Sequence, residues 1–230
     1  MKYKMVTEQR WQCPSGLIEQ ALAEHPVTDE VVVLNEHTGD FFYDTWNIKN
    51  EYKGTAWERI LMSLPAPIGE ARIITLAPGE SYQSHADIDN RWHLNLTGEQ
   101  CFLIDLESET MFKCQQDNSW YFMLTDRLHT ACNFGSVPRL QLVVRELLRK
   151  SLSPSNLIPV TIKPIDPAPD TRYKFDNIFS AWLNRVNQEY NMSDFNFSGS
   201  DVTFKLESEL ISELDALNTE DFKITYRTAD

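Results

Sequence analysis

The sequence predicts a mainly β protein with a sandwich or jelly-roll core, flanking α-helices and a small α+β extension at its C-terminal end. Three observations carry this prediction. Short strand-like runs follow one another between residues 70 and 150. Turn dipeptides separate these runs, and several short strands at such spacing are typical of a sandwich or jelly roll. Helical periodicity, by contrast, is confined to the segments on either side.

Charge and composition restrict what the chain binds. Of its 230 residues, 42% are hydrophobic and 24% are charged, which are ordinary values for a globular protein. The net charge of −13 repels phosphate backbones, so we expect no nucleic-acid partner. No apolar run approaches the roughly 18 residues that span a bilayer, so we expect no membrane segment. The first residues contain no apolar stretch, which predicts a cytoplasmic protein without a signal peptide.

The cysteines form no recognisable framework. None belongs to a C-x-x-C pair, and a chain without a secretion signal predicts reduced thiols. A zinc site built from all four is chemically feasible, but their spacing does not favour it. The four positions are Cys13, Cys101, Cys114 and Cys132.

Residues 1–69 are predicted to form an α/β flank of the core. The apolar spacing between Pro14 and His25 predicts a short helix. The run Val31–Leu34 predicts a buried strand. The residues Thr55-Ala56-Trp57-Glu58 have the form of a capping box, which predicts a second helix that ends before Pro65.

Residues 70–150 are predicted to be the core, and the polypeptide after them an extension. The predicted core strands are Ala71–Ala77, Trp92–Leu96, Cys101–Leu106, Met111–Lys113, Trp120–Leu124, His129–Phe134 and Leu140–Leu147. Five of the 11 prolines lie between residues 151 and 171, which predicts a semi-rigid connector.

Residues 172–230 are predicted to be a C-terminal α+β extension. The apolar stripe from Phe175 to Val186 predicts an amphipathic helix. A strand over Val202–Leu206, a helix near Glu207–Leu217 and a strand over Phe222–Tyr226 are expected to follow. We expect this extension to cover the core, and its residues suggest no chemistry.

The residues with the clearest chemical meaning are His85 and Asp87. In an extended segment, residues two apart point to the same face. Such a pair, together with a distant histidine, can supply the two-histidine, one-carboxylate triad that holds non-haem Fe(II) and leaves coordination positions open. His129 lies on a later predicted strand and is the natural third ligand.

A second observation concerns Arg139, which follows His129 after a tight turn. It opens the neighbouring strand, where its planar fork could bind the distal carboxylate of a bound 2-oxo acid. Alternation places Arg139 on the same face as Gln141, which puts a polar pair near a cavity. Arg91 and His93 share a face of another strand and add cationic and hydrogen-bonding capacity there.

Together these residues resemble the Fe(II)/2-oxoglutarate-dependent oxygenases, and within them the aspartyl/asparaginyl β-hydroxylase and prolyl hydroxylase-like group. The resemblance covers the chain from Leu76 to Leu147 and leaves both flanks unmatched. One departure is Arg145, where relatives often have an acidic residue, and it bears on the substrate rather than on the metal. In chain order, the matching elements are His85-x-Asp87, Arg91-x-His93-Leu94 with Leu96, Trp120, His129 with Asn133, and Arg139 before the run 140–144.

The resemblance implies a double-stranded β-helix, the cupin-like form of the jelly roll. It also implies that His85, Asp87 and His129 ligate Fe(II). Arg139 would hold the far carboxylate of the co-substrate 2-oxoglutarate, with Arg91 and His93 assisting. The implied reaction uses O2 to hydroxylate an aliphatic C–H bond and releases succinate and CO2. The implied substrate is an amino-acid side chain, either free or in a peptide or protein.

Two other interpretations remain open. A cupin-like metal enzyme that does not use 2-oxoglutarate needs the three ligands but not Arg139. A non-catalytic jelly-roll interaction module needs neither. The joint presence of the triad and Arg139 at workable spacing favours the oxygenase.

Overall fold

The computed structural model describes residues 4–65, 67–149, 157–189, 192–217 and 219–226. The chain divides into two compact units. The first comprises Met1–His85 and Asp89–Leu147, and the second comprises Ala86–Ile88 and Leu148–Asp230. Within the ranges given above, no helix is both long and apolar enough to cross a membrane.

The first unit is built mainly from strands, with two helices. The helices are α1 (Leu17–Glu24) and α2 (Ala56–Leu61). The strands are β1 (Val6–Gln12), β2 (Val31–Val33), β3 (Asn35–His37), β4 (Trp46–Ile48), β5 (Ala71–Leu76), β6 (Arg91–Asn95), β7 (Cys101–Asp105), β8 (Thr110–Lys113), β9 (Ser119–Met123), β10 (His129–Asn133) and β11 (Arg139–Arg145).

The core of this unit consists of two antiparallel sheets. The large sheet has the order β1-β9-β6-β11-β5-β2, and the small sheet has the order β10-β7-β8. The segment before β6 joins the small sheet, because Ser81 pairs with Cys132 and His85 pairs with His129. From β5 to β11 the chain therefore passes repeatedly between the two sheets, as in a double-stranded β-helix. The predicted mainly β, jelly-roll core is confirmed.

The two faces of the large sheet differ in chemistry. One face is apolar: Leu94 and Leu142 pack there with Trp57 and Ile60 of α2. The opposite face, here called the interior face, is directed toward the small sheet, and Tyr121 belongs to a core cluster shared with that sheet. Because side chains alternate along a strand, the polar residues of β6 and β11 share the interior face.

The start of α2 shows the predicted capping in a modified form. The Thr55 hydroxyl accepts a hydrogen bond from the Trp57 amide at 3.2 Å. The Glu58 carboxylate accepts one from the Gly54 amide at 2.7 Å, one residue earlier than in a standard capping box. The first bond satisfies an amide group that the first helical turn leaves without a partner, and the second ties the residue before the cap to the helix.

The second unit is a small α+β structure, as predicted. Its helices are α3 (Thr171–Phe175), α4 (Ala181–Gln188) and α5 (Ile211–Ala216), and one π-helical turn, Asp176–Ser180, joins α3 to α4. Its strands are β12 (Leu157–Pro164), β13 (Met192–Ser198), β14 (Asp201–Glu207) and β15 (Phe222–Tyr226), in the order β13-β14-β12-β15. The predicted apolar stripe is buried at Phe175, Phe179, Trp182, Leu183 and Val186.

The segment predicted as a proline-rich connector differs from the prediction. Residues 151–156 lie outside the described ranges, but residues 157–164 form β12, an inner strand of the second sheet. The pairing register explains how proline, which lacks an N–H group, is tolerated there. Pro159 pairs with β14 before the pairing with β15 begins at Val160, and Pro164 pairs with β15 after the pairing with β14 ends at Ile162.

Candidate metal centre

Three predicted ligands converge at one point of the structure. Metal-binding atoms of His85, Asp87 and His129 all lie within 4.8 Å of one another. Among the residues that the structure describes, this is the one group of three or more such side chains close enough to share an ion. Ligands bound to one ion at about 2.1 Å lie roughly 3 Å apart when adjacent, so the three side chains are near enough to share an ion.

The backbone places the two imidazoles side by side. The amide of each histidine donates to the carbonyl of the other, and both bonds are 2.9 Å long. Directly paired residues of an antiparallel ladder present their side chains on the same face. The two ring centroids are accordingly 4.6 Å apart.

Hydrogen bonds fix the orientation of both rings. Nδ1 of His85 lies 2.9 Å from the carbonyl of Gln83, and Nδ1 of His129 lies 2.8 Å from the carbonyl of Arg127. A carbonyl only accepts, so Nδ1 is the protonated nitrogen in each ring. In the neutral imidazole the lone pair is then on Nε2, the arrangement that metal-ligating histidines adopt.

The carbonyl that orients His129 is itself held in place. Arg127 donates to Asp105, which is the register partner of His129 on β7, at 3.2 Å. Burial alone would raise the pKa of Asp105, but bonds from Ser108 and Arg127 outweigh it and hold that pKa below its usual value. Asp105 therefore carries its charge at neutral pH and pairs with Arg127 beside the predicted ligand.

Arg139 is a buried cation at the start of β11. Only 1% of the residue's surface is exposed to solvent. Nη2 donates to the Tyr82 hydroxyl at 3.4 Å, while Nε and Nη1 are buried without a hydrogen-bond partner among the described residues. No carboxylate in the described part of the chain pairs with it. A buried cation in this state is costly unless an anion compensates it.

The groups around Arg139 do not supply that anion. Burial raises the pKa of the Cys114 thiol to about 11, and Arg139 offsets this only in part. Burial also raises the pKa values of Cys101, Cys132 and the Tyr82 hydroxyl, again against the opposing effect of Arg139. All of these groups are neutral at pH 7, so none of them supplies a negative charge to Arg139.

The interior face continues the polar surface beyond Arg139. Gln141, also 1% exposed, donates to the Asn95 side chain at 2.6 Å. Asn95 in turn donates to the Gln115 carbonyl at 3.0 Å. The predicted polar pair of Arg139 and Gln141 is thus directed into the space between the sheets.

Arg91 and His93 lie farther from Arg139. Arg91 pairs in register with Arg145 at the other end of β11, about 20 Å along the strand from Arg139 at some 3.4 Å per residue. Asp89 accepts hydrogen bonds from Arg91 at 3.2 Å and from Arg145. His93 is buried on the interior face opposite Val143. The assistance of Arg91 and His93 in co-substrate binding stays a prediction.

Several contacts in this region were not anticipated from the sequence. Tyr82, Asp89 and Gly98 contact the predicted site residues directly, and Asn184 donates to the carbonyl of Asp87 at 3.1 Å. Gly98 carried a signal as part of the turn Thr97-Gly98, and Tyr82 carried one as an aromatic residue near the predicted site that could line a pocket. The others come together through tertiary packing, which no local pattern records.

Gly98 is expected to be indispensable beside Arg139. Its φ is +114°, and an added Cβ would lie 2.7 Å from Cys101 Sγ and 3.2 Å from the Arg139 Cα and Cβ atoms. Gly98→Ala should lower the free energy of unfolding by about 2–4 kcal/mol, from the φ strain and overpacking together. Urea denaturation of the variant and the wild type measures this loss.

Gly79→Ala is the matched control for that experiment. Gly79 also has a positive φ of +80°, but nothing lies within 4 Å of an added Cβ. It should lose only the roughly 1–2 kcal/mol that left-handed backbone costs an L-residue. Equal losses in the two variants would mean that Gly98 is not needed for close packing against Arg139.

Comparisons with known proteins give limited help. No family model matches the sequence, and no curated protein matches it. Among solved structures, the chain is similar to a predicted oxalate decarboxylase from Thermotoga maritima. The two are 16% identical, with 50% of this chain and 94% of that chain covered and a TM-score of 0.30. Nothing about substrate or chemistry is carried over from that protein to this chain.

The donor set of the triad suits a specific class of ion. Two neutral imidazoles and one carboxylate on one side of an ion form the facial triad of non-haem Fe(II) sites, which leaves positions open for other ligands. The oriented Nδ1–H groups and the buried carboxylate fit this role. The three side chains can therefore hold a divalent metal ion.

Proposed function

We propose that this protein is an Fe(II)- and 2-oxoglutarate-dependent dioxygenase that hydroxylates an aliphatic C–H bond. The observation that carries the proposal is the buried Arg139 guanidinium, which has no counter-anion among the described residues. It belongs to the same double-stranded β-helix as the two histidines of the triad. A metal site alone does not call for a buried cation, whereas a chelating keto-diacid requires a group that binds its far carboxylate.

Each residue then has a defined task. His85 and His129 bind Fe(II) through Nε2, and Asp87 binds it through a carboxylate oxygen. Arg139 binds the carboxylate of 2-oxoglutarate that is remote from the keto group. Burial of Arg139 strengthens this contact, because charges interact more strongly away from water.

Bound iron would supply the O2 activation that couples oxidation of 2-oxoglutarate to oxidation of the substrate. The reaction balances when one oxygen atom enters succinate, the other enters the new hydroxyl group, and CO2 leaves. The protein contributes positioning: it fixes the ligands, anchors the diacid and keeps water from the buried guanidinium.

The proposed substrate is an amino-acid side chain, free or in a peptide or protein. This part rests on the resemblance of residues 76–147 to the aspartyl/asparaginyl and prolyl hydroxylase-like oxygenases. 2-Oxoglutarate is the proposed small-molecule partner. Screening of amino acids and peptides for a mass gain of one oxygen atom would identify the substrate.

Succinate formation tests the proposal directly. Purified protein incubated in air with Fe(II), 2-oxoglutarate and ascorbate is expected to release succinate, because such enzymes turn over slowly without substrate when a reductant is present. Omission of Fe(II) should abolish the product. Metal binding without metal-dependent 2-oxoglutarate binding or succinate would instead identify a metal enzyme that does not use this co-substrate. If the protein binds no metal, the remaining interpretation is a non-catalytic jelly-roll interaction module.

A further inference from the structure

We infer that Asn184, in the C-terminal unit, is a positioning residue for the metal ligand Asp87. This inference rests on the proposed metal centre and extends it to a part of the chain that the sequence predicts to be a mere cover. It concerns the short segment Ala86–Ile88, which groups with that unit. The argument starts from the helix that carries Asn184.

The helix α4 and the residue before it bury a row of polar side chains in addition to the apolar stripe. Ser180, Asn184 and Asn187 are each 1% exposed, and their spacing of four and three residues places them on one face. Buried amide side chains are costly unless they are hydrogen-bonded. Each asparagine on this line accordingly bonds a backbone group distant in sequence.

The two asparagines have different backbone partners. Asn184 Nδ2 donates to the carbonyl of Asp87 at 3.1 Å. Asn187 Oδ1 accepts from the amide of Arg149 at 3.0 Å. Both partners belong to the same compact unit as α4, because Ala86–Ile88 groups with Leu148–Asp230. The ligand Asp87 therefore sits in a short segment that the C-terminal unit holds.

The local backbone shows why Asp87 needs such an anchor. His85 and His129 hold each other through a pair of backbone bonds, and this pair is the last one of the ladder before Asp87. Residues 86 and 87 have no regular secondary structure. A bond to the Asp87 carbonyl fixes the peptide plane next to its Cα and so limits the directions its carboxylate can take. The bond from Asn184 provides this constraint just beyond the last paired residue of the ladder.

A measurement of metal affinity distinguishes a positioning role of Asn184 from a general contribution to the stability of the fold. Mn(II), an air-stable probe for this donor set, is titrated calorimetrically into the full-length protein. Asn184→Leu keeps the volume and removes the donor, and it is expected to weaken Mn(II) binding about 10–100-fold, the usual cost of removing a group that orients a ligand. Asn187→Leu is the matched control, on the same helix face and equally buried, and it should bind Mn(II) within about twofold of the wild type.

Thermal unfolding of the metal-free proteins completes the comparison. Both variants lose hydrogen bonding of a buried asparagine side chain, so the Tm should fall in both, while only Asn184→Leu loses metal affinity. Wild-type affinity in Asn184→Leu, or equal weakening in both variants, would overturn the inference. If Asn184→Leu does not fold, Asn184→Asp keeps the volume, removes the amide donor and enters the same comparison with the same expected result.

The outcomes also distinguish this inference from the proposed function. If the wild type binds no Mn(II), the metal centre is absent and both ideas fall. If the wild type binds Mn(II) and Asn184→Leu binds it equally well, only the positioning role of Asn184 fails.

Discussion

Replacing Asp87 by alanine is expected to abolish succinate production and to weaken metal binding by more than about 100-fold. Asp87 is the one carboxylate of the triad, and its loss leaves two imidazoles, which neither neutralise a divalent cation nor complete the facial arrangement. Removal of a direct ligand should cost more than the roughly 10–100-fold typical of an orienting partner. Mn(II) calorimetry and a succinate assay with Fe(II) measure the two losses.

Gln83→Ala controls for disturbance of the same segment. Its side chain is exposed, and only its backbone carbonyl contacts His85, so the substitution leaves that contact in place. Gln83→Ala should retain wild-type metal affinity. If Asp87→Ala also retained it, Asp87 would not be a ligand.

Replacing Arg139 by methionine is expected to separate stability from binding. The variant should keep its metal but bind 2-oxoglutarate about 10–150-fold more weakly, because a charged hydrogen bond contributes about 1.5–3 kcal/mol. In the absence of ligand its Tm should equal or exceed that of the wild type, since an uncompensated buried cation is replaced by an apolar side chain of similar length. Calorimetry with Mn(II) present and thermal unfolding test the two effects.

Arg127→Met is the matched control, with the opposite pattern. Arg127 is paired with the buried Asp105 at 3.2 Å, so its loss leaves that carboxylate without its cation and should lower the Tm. Its affinity for 2-oxoglutarate, measured at saturating Mn(II), should stay near the wild-type value. Undiminished 2-oxoglutarate affinity in Arg139→Met would remove the role proposed for that guanidinium.

Short-range rules account for only part of the arrangement of the three predicted ligands. The i, i+2 spacing suggested that His85 and Asp87 share a face of an extended segment, but residues 86 and 87 have no regular secondary structure. Alternation along β11 put Arg139 and Gln141 on the same face, and the structure buries both. What periodicity could not supply is the pairing of His85 with His129, which depends on the small sheet as a whole.

The features that escaped prediction depend on distant partners. Asn184 and Asp87 are 97 residues apart, and only the folded second unit brings them together. The polar residues Ser180, Asn184 and Asn187 lie next to the apolar stripe on the helix, and their shared spacing was a sequence signal that this helix has a second buried face. Strand β1 was missed because its sequence, VTEQRWQ, does not alternate between apolar and polar residues. It is an edge strand, and its pairing with β9 holds it in the sheet. Strand β12 was missed because its prolines occupy positions paired on only one side.

An anaerobic crystal structure with Mn(II) and 2-oxoglutarate tests the central claim most directly. The account predicts an anomalous scattering peak within about 2.2 Å of the two Nε2 atoms and a carboxylate oxygen of Asp87. It also predicts that the diacid chelates that ion and places its far carboxylate on the Arg139 guanidinium. A metal bound elsewhere, or a diacid that leaves Arg139 without an anion, would contradict the account.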